Sequence, residues 1–156
     1  MRSTTLILSS FLLSLLLFTS SCTNYISCGG DKEAFVDNFY NFIEELTNEQ
    51  KQGTISDSQW ESYDAKFKKL TEECFPQFEK ELTTTDQLGV AASVATYYYA
   101  KHGMGAMIKL AQAELAIQKV LLEIDYTVLF NAATEILNNP DEIHQIMDDL
   151  EKRYGK

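Results

Sequence analysis

The fold class follows most directly from residues 55–74, ISDSQWESYDAKFKKLTEEC. Ser56 and Gln59 have the spacing of a capping box, in which the two side chains satisfy backbone N–H groups at a helix start. Beyond the box, apolar residues recur every three or four positions, which is the period of one helix face. These residues are Trp60, Tyr63, Phe67, Leu70 and Cys74. The stretch therefore predicts a helix with one buried face. On the exposed side of this helix we expect Asp64 and Lys68 to form a surface ion pair.

The same helical periodicity continues on both sides of this stretch. A phenylalanine-rich segment begins near Asp31, and a helix that is rich in small residues runs from the cap cluster Thr83–Asp86 to about His102. Pro76 either kinks the second helix or restarts it as the first residue of another turn. Asn139 and Pro140 mark the start of a last helix, with Asn139 as its cap.

Residues 104–137 form the longest periodic stretch. A single helix over this stretch would be about 50 Å long, so a break near residues 125–127 is a second possibility. We therefore predict an all-α fold: a helical bundle of about four to five helices over residues 31–156, behind a cleaved N-terminal signal and a short tether.

The N-terminal 21 residues have the organisation of a secretory signal. Arg2 is the basic part, residues 6–18 are the apolar part, and Thr19-Ser20-Ser21 is a run of small residues. Small residues directly before a cysteine resemble the lipobox of bacterial lipoproteins, although Thr19 stands where that motif usually has leucine. The resemblance implies a lipoprotein signal peptide over residues 1–21, lipid attachment at Cys22, and a flexible tether over residues 22–30. An ordinary cleaved signal that leaves a free thiol is the alternative, and Cys28 is a weaker candidate for acylation.

The two other cysteines, Cys28 and Cys74, pose a separate question. In an oxidising compartment they are a possible disulfide pair. Cys74, however, lies on the apolar face of the predicted helix, where a buried thiol behaves as a small hydrophobic residue. The sequence favours the buried thiol and leaves the disulfide open.

Charge and composition limit the classes of partner. The 156 residues carry a formal net charge of −10, with 13 basic and 23 acidic side chains. Such a charge repels nucleic acid phosphates and anionic lipid head groups, so we expect no nucleic acid partner. A membrane reached through the lipid on Cys22, and an envelope protein, are the expected partners.

The sequence contains no arrangement of residues that is typical of an active site. His102 lies at a predicted helix end and His144 on a polar helix face, and neither belongs to a metal-binding motif. Adjacent carboxylates such as Glu44 and Glu45 point about 100° apart on a helix, so they do not converge. We therefore expect no enzyme, no catalytic residue, no cofactor and no metal. A hydrolase would require Asp64, Glu73 or Glu114 to meet in a cleft.

Residues 104–124 are apolar over most of the helix circumference. The favoured interpretation is central packing in the bundle. The alternative is a carrier or inhibitor that holds a lipid, a partner helix or a second copy of the chain. That alternative predicts a cavity or groove lined by Met107, Leu115 and Leu122.

Residues 31 to about 115 resemble an uncharacterised helical domain family found in lipoproteins of Bacteroidetes. The resemblance rests on the phenylalanine-rich first helix, on Ser56, Trp60, Asp64, Phe67 and Leu70 at their spacing, on Phe75–Leu82, and on the tyrosine cluster before Gly103. It implies a lipid-anchored envelope protein and adds no site. Surface-exposed lipoproteins of that group often carry acidic residues after the cysteine, and residues 23–26 lack them. The expected location is therefore the outer membrane, facing the periplasm, for a non-enzymatic binding or scaffolding module.

Overall fold

The structure is a computed structural model that describes residues 26–113 and 115–154. The predicted signal peptide, Cys22 and Glu114 lie outside the described residues. All regular structure in the described part of the chain is helical, which confirms the all-α bundle. The helices are α1 (Lys32–Gln52), α2 (Asp57–Lys68), α3 (Phe75–Phe78), α4 (Thr84–His102), α5 (Ala106–Ala111), α6 (Gln118–Glu123), α7 (Tyr126–Asn138) and α8 (Ile143–Tyr154).

The first two helices begin where the sequence predicts. Asp31 caps α1 by accepting a 2.8 Å hydrogen bond from the backbone N–H of Ala34. The capping box of Ser56 and Gln59 is present at the start of α2. A π-helical turn, Lys69–Cys74, then joins α2 to α3. Pro76 has no backbone N–H to continue an α-helical pattern, so the helix restarts at α3 with Pro76 in its first turn.

Helix α4 is the centre of the bundle. Its residues from Leu88 to Tyr97 are all buried, and it contacts α1, α5, α7 and α8. The capping box of Thr83 and Asp86 fixes its start. Two contacts show that α4 runs parallel to α1: Lys32 Nζ lies 2.9 Å from Asp86 Oδ2 at the starts, and Gln50 Nε2 lies 3.4 Å from the Ala100 carbonyl oxygen at the ends.

The stretch over residues 104–137 is divided more often than expected. The predicted break near residues 125–127 is present, because the Asp125 carboxylate accepts a 2.7 Å hydrogen bond from Thr127 N–H and caps α7. A second break, after α5, separates it from α6. Beyond this second break, Ile117 and Leu121 are completely buried.

Cys28 and Cys74 form a disulfide, with an S–S distance of 2.02 Å and a Cα–Cα distance of 5.1 Å. The favoured interpretation of Cys74 as a free buried thiol was therefore wrong, although its burial was right, since its exposed fraction is 0%. The approach of Cys28 depends on Gly29, whose φ of 91° is a left-handed conformation that glycine adopts without strain. Asn38 also donates a 2.9 Å hydrogen bond to the Ser27 carbonyl oxygen. The end of the predicted tether is thus attached to the bundle.

Candidate docking surface

The parallel direction of α1 and α4 gives the bundle two distinct ends. Near the start of α4 lie the Lys32–Asp86 ion pair and the 3.0 Å hydrogen bond from the Thr85 hydroxyl to Glu151. Near the end of α4 lie the last turns of α1 and α4, which carry Lys51 and Lys101 with His102. Cations at helix C-termini are favoured by the helix dipole. The disulfide attaches the N-terminal segment to Cys74, directly before α3, and the neighbouring Gly29 lies against Ala34 and Phe35 in the first turn of α1.

An exposed apolar surface follows directly after the end of α4. It consists of Met104, Met107 and Ile108, with exposed fractions of 94%, 52% and 64%, and we call it the methionine surface. Within α5, Ala106 and Leu110 point into the bundle, so Met107 and Ile108 are left on the outer side. Methionine is flexible and polarisable, and it is frequent on surfaces that bind apolar partners.

The sequence favours central packing of residues 104–124. This prediction is correct only for the side of the stretch that faces the core. Leu110, Ile117, Val120 and Leu121 are buried, whereas Leu122 is 66% exposed. Of the three residues predicted to line a carrier groove, Leu115 is half-buried against the core and the other two are exposed. The stretch therefore has an inner half that fills the core and an outer half that is open to solvent.

Basic groups border the methionine surface. Burial, followed by the positive charges of Lys101 and Lys109, lowers the pKa of His102, and the carboxylate of Asp64 opposes this effect. Lys101 and His102 are the last two residues of α4, and Lys109 follows Ile108 in α5. Lys101 is paired with Asp64, but Lys109 is exposed and has no ion pair within the described residues. We call Lys101, His102 and Lys109 the basic rim.

Asp64 links α2 to α4 beside this rim. Its carboxylate accepts a hydrogen bond from the Tyr97 hydroxyl, and Lys101 Nζ lies 2.6 Å from its Oδ2 atom. The predicted surface pair of Asp64 with Lys68 is therefore wrong, and Lys68 instead lies 3.8 Å from Glu72. The Tyr97 ring stacks on Phe67 at a centroid distance of 3.8 Å. Burial and the hydrogen bond to Asp64 raise the pKa of Tyr97, so its hydroxyl stays protonated at neutral pH.

A carboxylate hydrolase would require Asp64, Glu73 or Glu114 to meet in a cleft. The two of these that the structure describes, Asp64 and Glu73, do not form such a site. Asp64 is engaged by Tyr97 and Lys101, and Glu73 is exposed on the surface. His102 is the last residue of α4, and His144 lies with its ring edge-on to Tyr40 at 5.3 Å. Across residues 26–113 and 115–154, no group of three or more His, Cys, Asp or Glu side chains is arranged to hold a metal ion.

A cleft of about 310 Å³ lies near the opposite end, between the start of α4, α6 and the C-terminus. Leu88, Val120 and Val128 form its apolar wall, and Glu123 and Asp125 contribute carboxylates. Asp125 already caps α7. Sequence patterns do not indicate this cleft, because its walls come from separate helices. Its lining is mixed, since Thr84 and Gln87 add polar side chains to the apolar wall and the two carboxylates.

The methionine surface, by contrast, lies within the stretch that the sequence singled out. Its exposure was missed because periodicity does not show which side of a nearly all-apolar helix meets the core. None of the helices in the described ranges is long and apolar enough to cross a membrane.

Comparison with known proteins identifies a family. A family model described as a domain of unknown function, DUF6565, matches residues 46–152. The match runs from the last turns of α1 into α8, and so extends beyond residue 115, where the resemblance noted in the sequence ends. No curated protein and no solved structure matches the chain. Because the family model covers more than half of the sequence, the chain belongs to the family of the domain of unknown function DUF6565.

Proposed function

We propose that this protein is a lipid-anchored component of the bacterial envelope whose helical bundle is a non-enzymatic binding or scaffolding module. The observation that carries the binding role is the methionine surface, which exposes three large apolar side chains on one short segment. Exposed apolar residues that cluster, rather than occurring singly, mark interaction sites. The proposed location is the outer membrane, with the bundle in the periplasm.

The anchor in this proposal is Cys22, supported by the apolar run of residues 6–18 and the small residues before the cysteine. The disulfide adds support, because Cys28, the other candidate for acylation, already has a covalent partner. A disulfide is also characteristic of an oxidising compartment such as the periplasm. Cys28 is six positions after Cys22 in sequence, so the bundle lies within roughly 20 Å of the proposed lipid-bearing residue.

A protein partner fits the methionine surface better than a lipid held inside the bundle. The inner half of residues 104–124 fills the core with Leu110, Ile117 and Leu121, which are fully buried. The outer half lies on the outward side of short helices. A carrier would instead need to enclose most of an acyl chain in an apolar cavity.

Membrane fractionation tests the anchor. We expect Cys22→Ala to move the protein from the membrane pellet to the soluble fraction, and to abolish incorporation of an alkyne-labelled fatty acid. The matched control is Ser21→Ala, which keeps a small residue before the cysteine and is expected to stay labelled and membrane-bound. Unchanged pelleting and labelling of Cys22→Ala would refute lipid attachment at this residue.

A further inference from the structure

The two sulfur atoms of the disulfide lie in different surroundings. Cys74 has an exposed fraction of 0% and belongs to the apolar core. Cys28 is half-buried, follows the exposed Ser27, and lies in a segment without regular secondary structure. The bond therefore joins a sulfur atom inside the bundle to one at its surface.

The Cys74 sulfur is closed to an external reagent. Leu70, one turn earlier, and Phe75, directly after it, are each 0% exposed, and Phe78, one turn later, is also buried. In thiol–disulfide exchange, a thiolate attacks one sulfur in line with the S–S bond and displaces the other. Attack on Cys74 would have to come from the side opposite Cys28, which is the side of the core. An external thiol has no route to that side while the bundle is folded.

The Cys28 sulfur, by contrast, has a polar contact at the protein surface. Nε2 of Gln77, an exposed residue, lies 3.7 Å from Cys28 Sγ and donates a hydrogen bond to it. The same amide nitrogen donates a 2.8 Å hydrogen bond to the Glu73 carbonyl oxygen, which holds the glutamine beside the sulfur. Attack on Cys28 comes from the side opposite Cys74, and that side faces away from the core.

We propose that Cys28 Sγ is the site at which an external thiol exchanges with this disulfide, and that Cys74 is the sulfur that leaves. The ligand is a thiolate, supplied either by a small thiol such as glutathione or by a dithiol protein of the oxidoreductase class. The inference goes beyond the proposed function and does not depend on a lipid at Cys22.

The exchange has two steps. First, the external thiolate forms a bond to Cys28 Sγ, the bond between Cys28 and Cys74 breaks, and Cys74 leaves with the electron pair and takes up a proton. A second external thiolate then attacks the external sulfur of this mixed disulfide and displaces Cys28, which takes up a proton in turn. The two external thiols are oxidised to a disulfide, and the protein disulfide is reduced to two thiols.

The folded bundle also slows this exchange and favours its reversal. Cys74 would leave as a charged sulfur in an apolar site, which is costly. Its Cα atom lies 5.1 Å from that of Cys28, so it is placed to attack the mixed disulfide and close the bond again. The contacts that hold the segment after full reduction include the Asn38–Ser27 hydrogen bond and the packing of Ile26. Exchange at Cys28 therefore controls how firmly this segment is attached.

The test maps which cysteine receives the external thiol. The full chain carries Cys22→Ala, so that Cys28 and Cys74 are its only cysteines. The oxidised protein reacts briefly with glutathione and is quenched with acid, and free thiols are then alkylated with N-ethylmaleimide in urea. Peptide mass spectrometry locates both labels. We expect glutathione on Cys28 and N-ethylmaleimide on Cys74, in about tenfold excess over the opposite arrangement.

Unfolding supplies the first control, because it exposes both sulfur atoms. When the exchange itself is run in urea, the reaction should be faster and the two arrangements should form in about equal amounts. A second arm replaces glutathione with a thioredoxin-type protein whose second active-site cysteine is changed to serine. A faster reaction of this protein than of glutathione, at equal thiolate concentration, identifies a dithiol protein as the preferred source of the thiolate. Equal rates identify a small thiol.

A pair of variants tests the surroundings of Cys28. Gln77→Glu places a carboxylate beside the sulfur and should slow the attack of anionic glutathione by about threefold or more at low salt. Gln52→Glu is the matched control, because Gln52 is an exposed glutamine at the last position of α1, far from Cys28. Its exchange rate should equal that of the parent protein. Circular dichroism verifies the folding of each variant.

Four outcomes would each overturn the proposal. They are glutathione mainly on Cys74, an equal mixture in the folded protein, exchange only in urea, and equal rates for Gln77→Glu and Gln52→Glu. Because Cys22 is replaced in every protein of this test, failure of the lipid-anchor experiment leaves these outcomes unaffected.

Discussion

At the scale of single residues, polar side chains join α2 to its neighbours. Asp64 holds Tyr97 and Lys101 of α4, and Lys66 Nζ lies 2.8 Å from a carboxylate oxygen of Glu45 on α1. Between these two pairs lies Tyr63, a buried residue whose ring is 6.1 Å from that of Phe42. Tyr63 is therefore a phenol that folding removes from water beside acidic neighbours.

Burial, with smaller contributions from Glu45 and Glu49, raises the pKa of Tyr63 to about 12. The folded state therefore keeps this proton to a higher pH than the unfolded chain, in which tyrosine titrates near pH 10. Its contribution to stability is complete below about pH 10 and is lost as the pH rises through about 12.

We predict that the free energy of unfolding of the wild-type protein falls more steeply between pH 10 and 12 than that of Tyr63→Phe. The difference between the two proteins should change by about 2 kcal/mol across this range. Urea unfolding at a series of pH values, followed by circular dichroism, measures it. Parallel curves for the two proteins would contradict the assignment of this titration to Tyr63.

At the scale of elements, the contact between α1 and α4 depends on one glycine. A Cβ atom on Gly89 would lie 2.0 Å from the Tyr40 hydroxyl oxygen and 3.0 Å from its Cζ atom. Tyr40 is 8% exposed, so its ring has little room to move. Glycine is unfavourable within a helix by about 1 kcal/mol relative to alanine. In this helix the close approach of α1 explains its presence.

We predict that Gly89→Ala lowers the free energy of unfolding by about 1–3 kcal/mol, despite the better helix propensity of alanine. Tyr40→Phe removes the atom that the new methyl group would meet first, so the double variant should recover part of the loss. The matched control is Gly105→Ala, because a Cβ there meets nothing within 4 Å. Thermal and urea unfolding measure all four proteins. A Gly89→Ala protein as stable as wild type would contradict this explanation.

At the scale of the whole molecule, the disulfide joins the segment that precedes α1 to the π-helical turn between α2 and α3. Cys28 and Cys74 are separated by 46 residues in sequence, so the bond closes a loop containing all of α1 and α2. In the chain-entropy model, a crosslink across a loop of that size restricts the unfolded state and stabilises the fold by about 4 kcal/mol. The same bond keeps the bundle close to the proposed anchor.

We predict that the double variant Cys28→Ala with Cys74→Ala unfolds at a lower urea concentration and loses about 2–4 kcal/mol of stability. Adding a thiol reductant should destabilise the wild-type protein. The double variant is the control, because it has no disulfide to reduce and its stability should not change. Equal unfolding midpoints for reduced and oxidised wild-type protein would show that the bond contributes no stability.

Local sequence patterns were sufficient for the helix starts, because a capping residue acts within three positions of its partner. Asp31, Ser56 and Thr83 each cap the helix that was expected to follow them. Asn139 occupies the predicted position before Pro140, but its side chain makes no capping hydrogen bond. The apolar faces of α1 and α2 were predicted for a similar reason, since a helix repeats its contacts every three or four residues.

Local patterns were insufficient wherever the partner lies far along the chain. The sequence pairs Asp64 with Lys68, but the folded protein pairs it with Lys101, which is 37 positions away. Cys28 and Cys74 were a possible pair only, because a disulfide requires a Cα separation that helix packing sets.

The sequence by itself thus determined that the chain is an acidic all-helical domain with capped helices and an apolar face on each long one, because these properties depend on neighbours within one or two turns. The tertiary structure alone decided that Cys28 is bonded to Cys74, that Asp64 pairs with Lys101 of α4, and that Met104, Met107 and Ile108 remain on the outside. Those outcomes depend on how helices that are distant in sequence pack against one another. Helix α4 contacts α1, α5, α7 and α8. Helix α5 packs against the bundle through Ala106 and Leu110, so the methionine surface stays exposed to solvent.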